Sequence, residues 1–221
     1  MKSCIISQCS PQEERDSSWY VLEHIEFVMR SKEQLQFASL SSIDSKHTSN
    51  RSISSTWKLF LFGNGSPTQH LALLTGLPTQ VDVISMKTMQ QFETNEKMAL
   101  LAYDAIQSTI APQRVQRQVW LHNSSQPLGY AASWTSENDL DIIFPNVSVP
   151  IGQNVSEQKL ELYRDIQSVF CGESAQLEKQ FGCSGPFWGR TYFFRYRNRP
   201  ITFIYEVFSP VLTQYLGPVL V

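Results

Sequence analysis

The sequence predicts an α+β fold, an antiparallel sheet of hairpins with helices packed on it. Two pairs of alternating apolar runs, 115–135 and 189–210, are each split by a short polar turn, which reads as two hairpins. Amphipathic helical patterns stand at 56–76 and 96–110. Helices mixed with antiparallel hairpins, without strict strand–helix alternation, favour the α+β class over a parallel sheet.

Along the chain, residues 1–18 are polar and predicted to fray, and WYVLEHIEFVMR (19–30) is apolar enough to pack as a strand or short helix. Residues 31–55 are dominated by Ser and read as loop. TWKLFLF (56–62) is a first helical piece, and Gly63-Asn64-Gly65 separates it from a second. There Ser66 is a good N-cap, Pro67 suits the first helical position, and Gly76 ends the helix. VDVISM (81–86) alternates as a strand, and EKMALLAYDAIQSTI (96–110) has a helical period. VQRQVWLH and LGYAASWT flank the turn NSSQP. SEQKLELYRDIQSVF (156–170) aligns Leu160, Tyr163 and Ile166 on one helical face. The last hairpin joins GRTYFFRYR to PITFIYEVFSP, with the turn at Asn198–Arg199. No repeat and no convincing internal domain boundary divides the chain; residues 1–55 are a polar, Ser-rich N-terminal segment, partly packed.

Composition excludes several functions. The 221 residues carry 18 Lys+Arg against 20 Asp+Glu, so the basic excess of a phosphate-backbone binder is missing and nucleic acid is not an expected partner. No apolar run reaches the length of a membrane span, and the first is too short for a signal peptide. The four cysteines show no C-x-x-C spacing and the four histidines are scattered, so no metal site is expected, and the cysteines read as reduced, inert thiols in a cytosol-like compartment. G-x-S-x-G, Walker and G-x-G-x-x-G motifs do not occur. Arg190, Arg195, Arg197 and Arg199 read as a solvated hairpin tip.

Two charges break the strand pattern. Val115, Arg117, Val119 and Leu121 share one strand face, and Thr202, Ile204, Glu206 and Phe208 share another. A buried charge needs a partner. Either Arg117 and Glu206 pair with each other or lie on an exposed face, or they serve a pocket on the sheet. In a pocket, Arg117 clamps a carboxylate with its planar fork and Glu206 meets a hydroxyl or a transferable proton.

Four ordered segments then carry a resemblance: GSPTQHLALLTG (65–76), RQVWL (117–121) followed by Gln126-Pro127, PIG (150–152), and FWGR (187–190) followed by RNRPITFIYEVFSP (197–210). Together they are similar to chorismate lyase, in the form found in cyanobacteria and algal plastids, over about residues 56–217. The resemblance implies a chorismate lyase-like fold for 56–221. It implies conversion of chorismate to 4-hydroxybenzoate and pyruvate, without cofactor or metal, feeding a quinone such as plastoquinone.

It also implies that Arg117 and Glu206 are catalytic. Arg117 binds the ring carboxylate, while Glu206 accepts the ring proton or hydrogen-bonds the new phenol. Pro67, Thr68 and Ile151 fall at the substrate-binding backbone positions, and because Pro67 has no N–H, Thr68 is the expected donor. Arg190 either binds the enolpyruvyl carboxylate or anchors the structure. The implied partner is the small molecule chorismate, a monomer is favoured, and the implied compartment is a cyanobacterial cytoplasm or a plastid stroma. The competing reading is a non-catalytic small-molecule-binding module similar to the effector-binding domains of bacterial transcription regulators. It ranks lower because residues 1–55 show no basic recognition helix.

Overall fold

The computed structural model describes residues 20, 22, 24–30, 53–89, 104–124, 126–146, 151, 154 and 157–220. Among the described residues, seven strands form one antiparallel sheet: β1 (His24–Arg30), β2 (Gln80–Met89), β3 (Arg114–Asn123), β4 (Gln126–Ser136), β5 (Leu162–Glu173), β6 (Phe187–Tyr196) and β7 (Arg199–Phe208). Their order across the sheet is β1-β5-β6-β7-β4-β3-β2. The hairpins β3–β4 and β6–β7 are the two that alternation predicts, and pairing of β4 with β7 welds them together. The fold is α+β, with helices on an antiparallel sheet, as the sequence predicts.

Every residue of β7 from Ile201 to Phe208 is buried, because helices cover both faces of the sheet. On one face Val119, Ile166, Tyr192, Ile204 and Phe208 pack with Trp57, Phe60 and Leu61 of α1 (Ser55–Phe62) and Leu71 of α2 (Pro67–Thr75). On the other, Tyr130, Trp134, Phe170, Phe203 and Tyr205 pack with Ile106 of α3 (Asp104–Thr109). A short helix, α4 (Leu140–Ile143), follows β4, and α5 (Ala175–Phe181) adds Leu177 and Phe181 to this second core. Ser174 caps α5 by accepting from the Leu177 N–H, and Gly182 closes it at a left-handed φ of 66°. The last helix, α6 (Thr213–Leu216), leads into a C-terminal strap that fastens α1. There Trp57 Nε1 donates to the Gly217 carbonyl at 2.9 Å, and Thr56 Oγ1 donates to the Leu216 carbonyl at 2.6 Å.

The helices at 55–62 and 67–75 occupy the expected positions, with Pro67 at the first turn and Gly76 at φ 71°. Residues 24–30 resolve to a strand paired with β5. Of the predicted 96–110 helix, Asp104–Thr109 is helical and 96–103 lie outside the described residues, as do residues 1–18 and most of the predicted loop at 31–55.

Three sequence expectations are corrected. Residues 162–173 are strand β5, not helix. The spacing of Leu160, Tyr163 and Ile166 is helical by coincidence; Tyr163 is 54% exposed, and the chain turns at Lys159, whose φ is 52°. β5 lies between β1 and β6 and is buried on both faces, so its apolar residues do not show a clean period of two. The last hairpin turns at Arg197–Asn198, one residue early, with φ of 48° and 64° as a type I′ turn requires. Arg199 instead joins β7, held by a two-pronged contact with Asp139 at 2.8 and 2.6 Å. The arginines of this hairpin are also not a solvated cluster: Arg190 is 1% exposed and Arg195 binds Asp165 at 2.7 Å.

Candidate active site

The first core is interrupted by a cleft between the sheet and the start of α2. Pro67, Thr68, Arg117, Ile151 and Glu206 line it, as do Arg164 and Tyr192, with Val119, Leu121, Phe194 and Ile204 as apolar wall. Five of the six sequence-selected residues therefore meet in one place. Ile151 is itself in helical conformation, while its neighbours Pro150 and Gly152 lie outside the described residues.

The sheet register explains why Arg117 and Glu206 share this cleft. Arg117 faces Ser133, which faces Ile204, and Glu206 is two residues further along the same strand face. With strands about 4.8 Å apart and about 3.4 Å per residue, the two backbones are about 12 Å apart across the sheet.

Arg117 is 2% exposed, and its guanidinium sits 5.1 Å over the Phe144 ring. Burial pulls it down to about 10, so it remains charged at neutral pH. Such a desolvated cation gains from an arriving anion.

Glu206 is held from two sides. Its Oε2 accepts from Arg190 Nε at 2.9 Å and its Oε1 from the Tyr192 hydroxyl at 2.5 Å. Burial first, and the neighbouring Glu206 charge second, push the Tyr192 hydroxyl far above its ordinary range. It therefore stays protonated and acts as a donor. A carboxylate with one hydrogen bond on each oxygen keeps acceptor capacity for a ligand.

Arg190 lies beneath the cleft rather than on its wall. Its Nη1 donates to the carbonyls of Phe60, Leu61 and Gly63, at the open C-terminal end of α1. Arg164 Nη1 does the same for the next stretch, donating to the carbonyls of Asn64 and, at 2.9 Å, Gly65. Two arginines rising from the sheet thus hold the link between α1 and α2 and set where α2 begins. Pro67 at the first helical position has no N–H, which leaves Thr68 as the first backbone donor at the cleft. His70, one turn on, is lowered by burial and then by Arg190 and Arg164, so it is neutral at neutral pH.

The family described as "Chorismate pyruvate-lyase Rv2949c-like" matches residues 61–216. The chain belongs to that family. Its match begins within α1 and ends with α6, so it spans every element that lines the cleft.

The chain is 36% identical over 157 residues to the uncharacterized protein ycf21 of Cyanophora paradoxa, covering 71% of this chain and 78% of that one. It is 35% identical over 167 residues to ycf21 of Porphyra purpurea, covering 75% and 87%. Among solved structures it is similar to the effector domain of PhnF from Mycobacterium smegmatis, with 12% identity, 68% and 92% coverage and a TM-score of 0.47. No helix among the described residues is long and apolar enough to cross a membrane.

Sequence reasoning missed two residues of this family member's cleft, Tyr192 and Arg164. Tyr192 was detectable, because it alternates with Arg190 and Phe194 on one strand face, directly across from Ile204 on β7. Arg164 was hidden by the helical reading of β5, which removed its face assignment.

Proposed function

We propose that the protein is a chorismate pyruvate-lyase. The observation that carries this is the pair of buried charges, Arg117 and Glu206, two strands apart on the wall of one cleft, in a chain of the chorismate pyruvate-lyase family. Arg117 receives the ring carboxylate as a two-pronged partner, helped by backbone N–H groups at Thr68 and Ile151. Glu206 then faces the para carbon, which bears the ring hydroxyl, beside the carbon bearing the ether.

Glu206 takes the proton from the hydroxyl-bearing carbon. The freed electron pair becomes a ring double bond, the neighbouring C–O bond breaks, and enolpyruvate leaves. The same proton, returned to the methylene carbon of enolpyruvate, makes pyruvate, so atoms and charge balance. The ring becomes aromatic, which supplies much of the driving force. The protein contributes position and fixed charge. Tyr192 steadies the Glu206 carboxylate before the proton moves, and Glu206 afterwards accepts a hydrogen bond from the new phenol.

Residues 56–221 form the lyase domain in this reading, with β1 completing its sheet. The product serves as ring precursor of a quinone such as plastoquinone, in a cyanobacterial cytoplasm or a plastid stroma, which the source organisms of the relatives support. Chorismate consumption that yields 4-hydroxybenzoate and pyruvate in equal amounts tests the proposal. Tight binding of 4-hydroxybenzoate without turnover would instead mark a ligand-binding module.

A further inference from the structure

Resting on the lyase reading, we infer that Arg164 is the receptor for the second carboxylate of the substrate, the one on the enolpyruvyl arm. Among the described residues the cleft wall carries Arg117, Arg164 and Glu206, and Glu206 is ion-paired with Arg190. In the lyase reading Arg117 takes the ring carboxylate, and Arg164 is a second guanidinium on the same wall. A dicarboxylate gives each of them an anion, whereas a benzoate engages one.

Position agrees with charge. Arg117 stands on β3 and Arg164 on β5, four strand steps apart, or about 19 Å along the sheet. Glu206 lies on β7, between them. A ring anchored at Arg117 with its reacting edge at Glu206 therefore extends a side arm toward β5. Arg190 does not serve this role, because its Nε and Nη1 are engaged by Glu206 and three carbonyls.

Arg164 is built as a site. It is 7% exposed, and its guanidinium lies 4.9 Å from the Tyr192 ring centroid and 4.7 Å from that of Phe194. Nη1 is fixed by the Asn64 and Gly65 carbonyls, while Nε is buried without a hydrogen-bond partner among the described residues. An orientation locked by two aromatic rings, with a donor left over beside a cleft, is a preorganised anion receptor. The same side chain holds the link that leads into α2, so arrival of the second carboxylate reaches the segment that presents Thr68.

The test uses two probes that cannot eliminate because their rings are already aromatic: 3-(1-carboxyvinyloxy)benzoate, a dianion, and 3-ethoxybenzoate, a monoanion. The intact protein is expected to bind the dianion at least tenfold more tightly. Arg164→Gln should bring the ratio to within twofold by weakening the dianion at least fivefold more than the monoanion, and Arg164→Lys should keep most of the preference. In the unmodified protein the dianion, and not the monoanion, should shift the arginine Nε–H NMR signal of Arg164. Equal affinity for the two probes, an unmoved Arg164 signal, or equal weakening of both probes by Arg164→Gln would overturn the inference. Dianion preference without chorismate turnover would sink the lyase reading and leave this site standing.

Discussion

Arg190 Nε donates to Glu206 Oε2 at 2.9 Å from facing positions of β6 and β7, with 1% and 6% of the two side chains exposed. The same guanidinium gathers the last carbonyls of α1. Arg190→Met strands a buried carboxylate and three carbonyls, and removing one partner of a buried pair costs about 3–5 kcal/mol. Glu206→Gln should cost much less, since an amide oxygen still accepts from Arg190 or Tyr192. Urea midpoints at unchanged slope should rank Arg190→Met far below Glu206→Gln; equal midpoints would show that the pair does not hold the sheet.

Tyr192 gives Glu206 its second hydrogen bond, at 2.5 Å. Tyr192→Phe keeps the ring beneath Arg164 and removes only the donor. Hydrogen bonds to charged groups contribute about 1.5–3 kcal/mol, or roughly 10- to 150-fold. We expect kcat to fall in that range with KM for chorismate nearly unchanged. A rise in KM at constant kcat would mean that Tyr192 binds substrate instead of steadying Glu206.

Arg117 and Glu206 stood out in the sequence because each is the odd member of a strand face with a period of two, and the alternation held. Neither pairs as the simplest structural reading supposed: the Glu206 partners are Arg190 and Tyr192 on the adjacent strand. That partnership depends on the β6–β7 register, which a turn misplaced by one residue obscures. Arg164 was lost because a strand buried on both faces carries no clean period.

Gly189 is required by close approach. A Cβ there would lie 2.3 Å from the Glu206 backbone oxygen and 2.5 Å from the Phe170 ring, which stacks on Tyr205 at 5.2 Å. Gly189→Ala forces backbone apart next to the Arg190–Glu206 pair, and overpacking costs about 1–3 kcal/mol or more. Gly182, at φ 66° in open space, faces only the left-handed penalty of about 1–2 kcal/mol. Thermal melts should place Gly189→Ala below Gly182→Ala, and Gly189→Ala should also lower kcat. The reverse order of the two melts would contradict the close contact.

Arg117, drawn down to about 10 by burial, sets a pH limit on carboxylate binding. Below that value the guanidinium is charged and attracts the ligand; above it the free site loses its proton. Bound carboxylate favours the charged form, so ligand and proton bind together. Benzoate affinity should be level from about pH 6 to 9 and fall as pH rises through about 10, with proton uptake on binding there. Affinity that fell instead between pH 6 and 8 would assign the carboxylate to a different group.

The most direct measurement follows chorismate with the purified protein, and with Arg117→Ala and Glu206→Gln beside it. The account predicts equal yields of 4-hydroxybenzoate and pyruvate. Arg117→Ala should weaken 4-hydroxybenzoate binding by about 2–5 kcal/mol, and Glu206→Gln should cut turnover far more than product binding. Folded protein that leaves chorismate intact, or turnover that survives both substitutions, would contradict it.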